Sequence, residues 1–141
     1  TIEKNGLKDF AREDGMGVIC FSPLAQGMLS EKYLKGIPSD SRIAKDGRFL
    51  HADDIKPEKM EGIRRLDEIA KRRGQTLPQM ALAWDLRDPE ITSVLIGASK
   101  PQQILENLGT IENTSFSAEE LREIDEIQAS IAGELDARRQ V

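Results

Sequence analysis

Two short unbroken apolar stretches, "GVICF" at 17–21 and "SVLIG" at 93–97, constrain the fold more than anything else in the chain. Val18, Ile19, Cys20 and Phe21 run without a polar interruption between Gly17 and Pro23. Val94, Leu95 and Ile96 form a second run, closed by Gly97. Runs this short, β-branched and bounded by Gly or Pro, read as strands covered on both faces. Helical patterns fill the interval between them, so the strands are expected to be parallel, with a right-handed crossover. Two strands cannot make a sheet covered on both faces. The chain is therefore expected to be part of a larger α/β domain. It starts with Thr1 rather than Met, within an expected helix, which suggests a fragment or a processed product.

The helices follow from spacing and punctuation. Residues 2–12 carry Ile2, Leu7 and Phe10 among charges and end at glycines. Residues 57–73 place Met60, Ile63, Leu66, Ile69 and Ala70 on one stripe that stops at Gly74. Thr76 with Gln79 predicts a capping box opening a largely apolar helix, which Asp88-Pro89 stops. "KPQQILENLG" reads as a helix with Pro101 early and Gly109 past its end. Ser117 and Glu120 form a capping box for a last helix, with Leu121, Ile124, Ile127 and Ile131 as its apolar stripe. The tail from Glu134 reads as solvated. Residues 22–57 read as a long polar loop, and loops of that kind tend to be functional or disordered.

Composition narrows the function classes. The chain has 141 residues, a net charge of -5 and 32% charged residues, which disfavours broad nucleic-acid binding. No apolar run is long enough to span a bilayer, and no secretory leader is visible at the polar start. Cys20 is the single cysteine, so no internal disulfide can form, which suits a reducing compartment. A cytoplasmic location is the expectation.

Both strands run into a small or hydroxyl residue and then a proline: Phe21-Ser22-Pro23, and Gly97-Ala98-Ser99-Lys100-Pro101. In parallel α/β folds, ligands bind beyond the carboxyl ends of strands. Gly97 and Ala98 leave room beside the main chain, Ser99 can donate a hydrogen bond, and Lys100 can neutralise an anion. A plain turn with Ser99 as helix cap explains the same residues equally well. Lys32, Arg42, Lys45 and Arg48, with Tyr33, could close over a polyphosphate, although charge alone favours a solvated loop. His51 with Asp53 and Asp54 suggests a wet surface rather than a metal site, and no metal is expected. Cys20 reads as an inert core thiol and Trp84 as core. No pair of residues forms a convincing nucleophile and base.

The segments "GVICFSPLAQGMLSEKYLKGIPSDSR" and "TSVLIGASKPQQILENLGTI" resemble the carboxyl-terminal portion of the aldo-keto reductases. Within that family the likeness is to the group containing L-glyceraldehyde 3-phosphate reductases and potassium-channel beta subunits. It covers Leu7 to about Leu135. The resemblance implies an incomplete (β/α)8 barrel, with 17–21 as the seventh strand and 93–97 as the eighth, binding NADP(H). Phosphate sites of such barrels often lie after strands 7 and 8. By resemblance, Ser99 and Lys100 hold the adenosine 2′-phosphate, following Gly97 and Ala98. Gln103, Glu106 and Asn107 reach the adenine side. Phe21 lies beside the nicotinamide. Ser22, Pro23, Leu24, Ala25 and Gly27 line the pyrophosphate, Lys32 and Tyr33 fold over it, and Arg42 adds a phosphate-side cation. Glu31 stands where relatives often have glycine, and its carboxylate can compete for Lys32.

The family reduces a carbonyl by hydride transfer, using tyrosine, lysine, aspartate and histidine on earlier strands. Neither Tyr33 nor His51 matches those positions, so no catalytic residue is assigned within 1–141. The whole protein is expected to reduce small aldehydes or ketones, such as glyceraldehyde 3-phosphate or methylglyoxal. The alternatives are a redox-sensing regulatory subunit of the channel-associated type and an orphaned structural fragment. The expected partners are the remaining barrel strands, or copies of the chain itself. Alone, the 141-residue chain is expected to show no carbonyl reduction and weak cofactor affinity.

Overall fold

The computed structural model describes residues 5–34 and 56–139. In chain order the elements are α1 (Leu7–Glu13), β1 (Val18–Phe21), short turns at Ala25–Gly27 and Glu31–Tyr33, α2 (Pro57–Arg72) and α3 (Leu77–Leu86). They continue with β2 (Ile91–Leu95), α4 (Pro101–Leu108), a 3-10 turn at Gly109–Glu112 and α5 (Ala118–Arg139). The described residues divide into two compact units. One comprises 5–23 and 79–115, the other 24–34, 56–78 and 116–139.

The first unit holds both strands. They pair in parallel, as the intervening helices require, with Val18 opposite Ile91, Ile19 opposite Ser93, Cys20 opposite Val94 and Phe21 opposite Leu95. An irregularity separates the first two pairs. The second strand was expected to centre on Val94–Ile96 and reach Gly97; it instead spans Ile91–Leu95. The ladder sets this limit. β1 ends at Phe21 because Ser22 turns into the left-handed region (φ 55°), and a strand persists only as far as its partner.

The expectation that both strands are covered on both faces is also corrected. Ile19 and Phe21 lie two apart on one face, and Leu95 is in register with Phe21. All three are exposed, at 67%, 79% and 64%. On the other face Val18, Cys20 and Val94 are half-buried. A two-stranded sheet cannot cover both of its faces with the few helices of this unit.

Two ion pairs fasten α1 to the segment leading into β2. Lys8 pairs with Asp88, and Arg12 Nε donates to Glu90 Oε1 at 2.6 Å. Asp88 also accepts from the Glu90 N–H at 3.2 Å. Burial works against its charge, but the neighbouring Glu90 carboxyl, Lys8 and the Glu90 N–H together hold its carboxyl below the ordinary 3.8, at about 2.

The second unit is built on α2 and α5. The buried residues of α2 are Met60, Gly62, Ile63, Asp67, Ile69 and Ala70, close to the expected stripe, with Leu66 half-buried. From α5, Ile124 and Ile127 are buried. Gly62 permits the close approach: a Cβ there would lie 2.8 Å from Ile131 Cγ1. Asp67 is buried and gives its charge to Lys71, one turn on, at 2.6 Å. Met28 and Tyr33 are buried too, at 2% and 3%, so the start of the expected loop is folded.

α2 ends in a Schellman motif. Gly74 takes φ 69°, its N–H donates to Lys71 O at 3.0 Å, and Gln75 N–H reaches Ala70 O at 2.9 Å. The preceding Arg73 has a buried side chain. It stacks 3.6 Å over the Phe116 ring, bonds Gln75 Oε1 at 2.9 Å and pairs with Glu120 at 2.9 Å. The predicted Ser117–Glu120 capping box is present in both directions, at 2.7 and 3.1 Å. Burial opposes the charge of Glu120, yet Ser117 and Arg73 together hold its carboxyl below the ordinary range. The last helix was expected to end near Gly133; α5 runs on to Arg139, since Glu134, Leu135, Ala137 and Arg138 are good helix formers.

Candidate functional site

The parallel ladder brings Phe21 and Leu95 side by side at the carboxyl end of the sheet. From that end the chain leaves along Ser22-Pro23 on one side and Ile96-Gly97-Ala98-Ser99 on the other. Phe21, Ser22, Gly97, Ala98, Ser99 and Lys100 are all exposed there. The Lys8–Asp88 and Arg12–Glu90 pairs sit at the opposite, amino-terminal end of β2.

The turn before α4 has a definite electrostatic structure. Pro101 occupies the first helical position, where no N–H is needed, and forces its predecessor into extended geometry. Lys100 therefore becomes the cap residue (φ -141°, ψ 142°), in place of Ser99 as the plain-turn reading expected. Gln103 reaches back over this turn. Its Oε1 accepts from Ser99 N–H at 2.8 Å, Lys100 N–H at 3.1 Å and Ser99 Oγ at 3.2 Å. An ammonium has no acceptor to return the favour, so the Gln103 N–H goes to the Lys100 carbonyl at 3.1 Å.

Three donors thus converge on one oxygen at a helix start, where backbone dipoles favour negative charge. That oxygen is the Gln103 amide, and Lys100 adds a solvent-facing cation beside it. Gln103 and Glu106 are exposed and Asn107 is half-buried. Their spacing puts all three on one side of α4. Gln79 supports the helix from below: its Nε2 donates to the Glu106 carbonyl at 2.7 Å.

Leu24, Ala25, Gly27, Lys32 and Tyr33 belong to the second unit, whereas Phe21, Ser22 and Pro23 belong to the first. After Ser22, Ala25 and Gln26 also take positive φ (45° and 60°), followed by Gly27 at 95°. Such angles cost non-glycine residues about 1–3 kcal/mol each and concentrate at ligand-binding turns. The turn is closed by Gly27 N–H to Leu24 O at 2.8 Å and by the Ser30 hydroxyl on the Gly27 carbonyl. Lys32 is exposed, whereas the Tyr33 ring is buried. Arg42, Lys45, Arg48, His51, Asp53 and Asp54 lie outside the described residues. Among the described residues, no group of three or more His, Cys, Asp or Glu could hold a metal ion. No helix among them is long and apolar enough to cross a membrane.

Comparison with known proteins decides the family. The aldo/keto reductase sequence pattern matches residues 1–129. The chain belongs to the aldo/keto reductase family. It is 45% identical over 128 residues to L-glyceraldehyde 3-phosphate reductase of Escherichia coli O157:H7, matching 89% of this chain and 37% of that protein. It is 37% identical over 129 residues to a Schizosaccharomyces pombe protein named for a voltage-gated potassium channel subunit beta, covering 89% of the chain and 38% of the relative. A crystal structure of a thermostable aldo-keto reductase, in complex with the inhibitor epalrestat, superposes with a TM-score of 0.58 at 27% identity. That match covers 89% of this chain and 35% of the solved one. The chain thus spans little more than a third of the length of these relatives.

Proposed function

We propose that the chain is the carboxyl-terminal, NADP(H)-binding portion of a reductase acting on small aldehydes, with glyceraldehyde 3-phosphate the leading substrate class. β1 and β2 are then the seventh and eighth strands of a (β/α)8 barrel. The outer edges of the pair receive the remaining strands, which are the expected partner. The observation that carries the reading is the cluster of Ser99 N–H, Ser99 Oγ and Lys100 N–H at the carboxyl end of the parallel pair, gathered on Gln103 Oε1, whose place a phosphate oxygen would take. The 45% identity to the glyceraldehyde 3-phosphate reductase supports the substrate class.

Within this reading the cofactor supplies a hydride to the substrate carbonyl. Ser99 and Lys100 bind the 2′-phosphate, with Gly97 and Ala98 admitting it to the main chain. Gln103, Glu106 and Asn107 orient the adenine end. Ser22, Pro23, Leu24, Ala25 and Gly27 line the pyrophosphate. Exposed Phe21 shields the nicotinamide end from water, Lys32 and Arg42 act on the phosphate side, and Tyr33, buried rather than folded over the ligand, anchors that turn. No residue of this chain moves a proton to or from the substrate; that task belongs to the remaining barrel strands. A cytoplasmic protein is the corresponding expectation. The channel-subunit reading keeps the same cofactor residues and is supported by the 37% relative.

Binding of NADP and NAD is the test, measured calorimetrically for this chain and for the E. coli relative, each with and without the change corresponding to Lys100→Ala. A charge-assisted contact contributes about 1.5–3 kcal/mol, so NADP affinity is expected to fall about 10- to 100-fold with NAD affinity unchanged. An equal effect on both cofactors refutes the assignment. The unmodified chain is expected to consume no NADPH when offered glyceraldehyde 3-phosphate. Sustained turnover would place the chemistry within these 141 residues.

A further inference from the structure

We draw no further inference here: the strongest candidate, the turn before α4 where three donors converge on Gln103 Oε1, belongs to the cofactor site already proposed and rests on a helix N-terminus with no second observation pointing to another ligand.

Discussion

In the helical unit Ile69, Ala70 and Ile127 are wholly buried, whereas in the strand-bearing unit Phe21 stands 79% exposed and Ile111 71%. Every large exposed apolar residue among those described lies in the strand-bearing unit: Leu7, Phe10 and Met16 around α1, Ile19, Phe21 and Leu95 on the sheet, and Ile104, Leu105, Leu108 and Ile111 from α4 onward. The segments of the two units are comparably apolar. They differ in the number of neighbours their geometry demands. An amphipathic helix has one stripe to cover, and α2 and α5 cover each other's. A parallel sheet has two faces and two edges, and a helix such as α4 expects a sheet beneath its stripe. The first kind of element can be completed by a single partner helix, and the second cannot.

The sharpest way to break this comparison is to damage the helical unit. Ile127→Ala removes a wholly buried side chain, at an expected cost of about 2–5 kcal/mol. The loss should be read in hydrogen exchange as collapsed amide protection along α2 and α5. Undiminished protection would mean that the helix pair is not the stable part.

Acid should separate the units next. The carboxyl of Asp88 titrates at about 2 in the folded chain against an ordinary 3.8. A depressed value means stability that is full above the ordinary value and lost as pH falls through the folded one. Protection of α1 should therefore fade as the pH drops from near 4 to near 2. In Lys8→Met that step should shrink while α5, whose Glu120 has its own donors, titrates as before. A Lys8→Met chain with an unaltered acid profile would remove the α1 tether from the account.

The smallest effect is the most discriminating. Leu105 is 62% exposed, so Leu105→Lys should change the unfolding free energy of this chain, read from urea titration, by no more than about 0.5 kcal/mol. The matching change in the full-length E. coli relative should cost about 2–5 kcal/mol, because there the stripe would be covered. Equal effects in the two proteins would mean that α4 has no sheet to meet.

Much of this was legible in the residues. The α2 stripe, the Gly74 stop and the Ser117–Glu120 box each depend on contacts within a few residues, and each is present. The parallel pairing followed from the intervening helices. Its register did not, because β2 stops at Leu95 only where Ser22 bends β1 away. The covering of the strands was misread for a related reason. An apolar run states what must be sheltered, not whether the shelter is in the same chain. At the candidate site, Gln103 was assigned to the ligand on resemblance, while its three-residue spacing from the cap position carried the same signal as Glu120 behind Ser117. A lysine at the cap hid it, because the reciprocal half of the motif cannot form. The burial of Arg73 against Phe116 and Glu120 has no local signature at all.

The two-strand ladder described above has a colloidal consequence. Among the described residues each strand has one neighbouring strand, and a sheet edge left open can be satisfied by any extended polypeptide as well as by a native one. A two-strand ladder whose rims stay open is therefore expected to associate more as its concentration rises, and to stay dispersed when dilute.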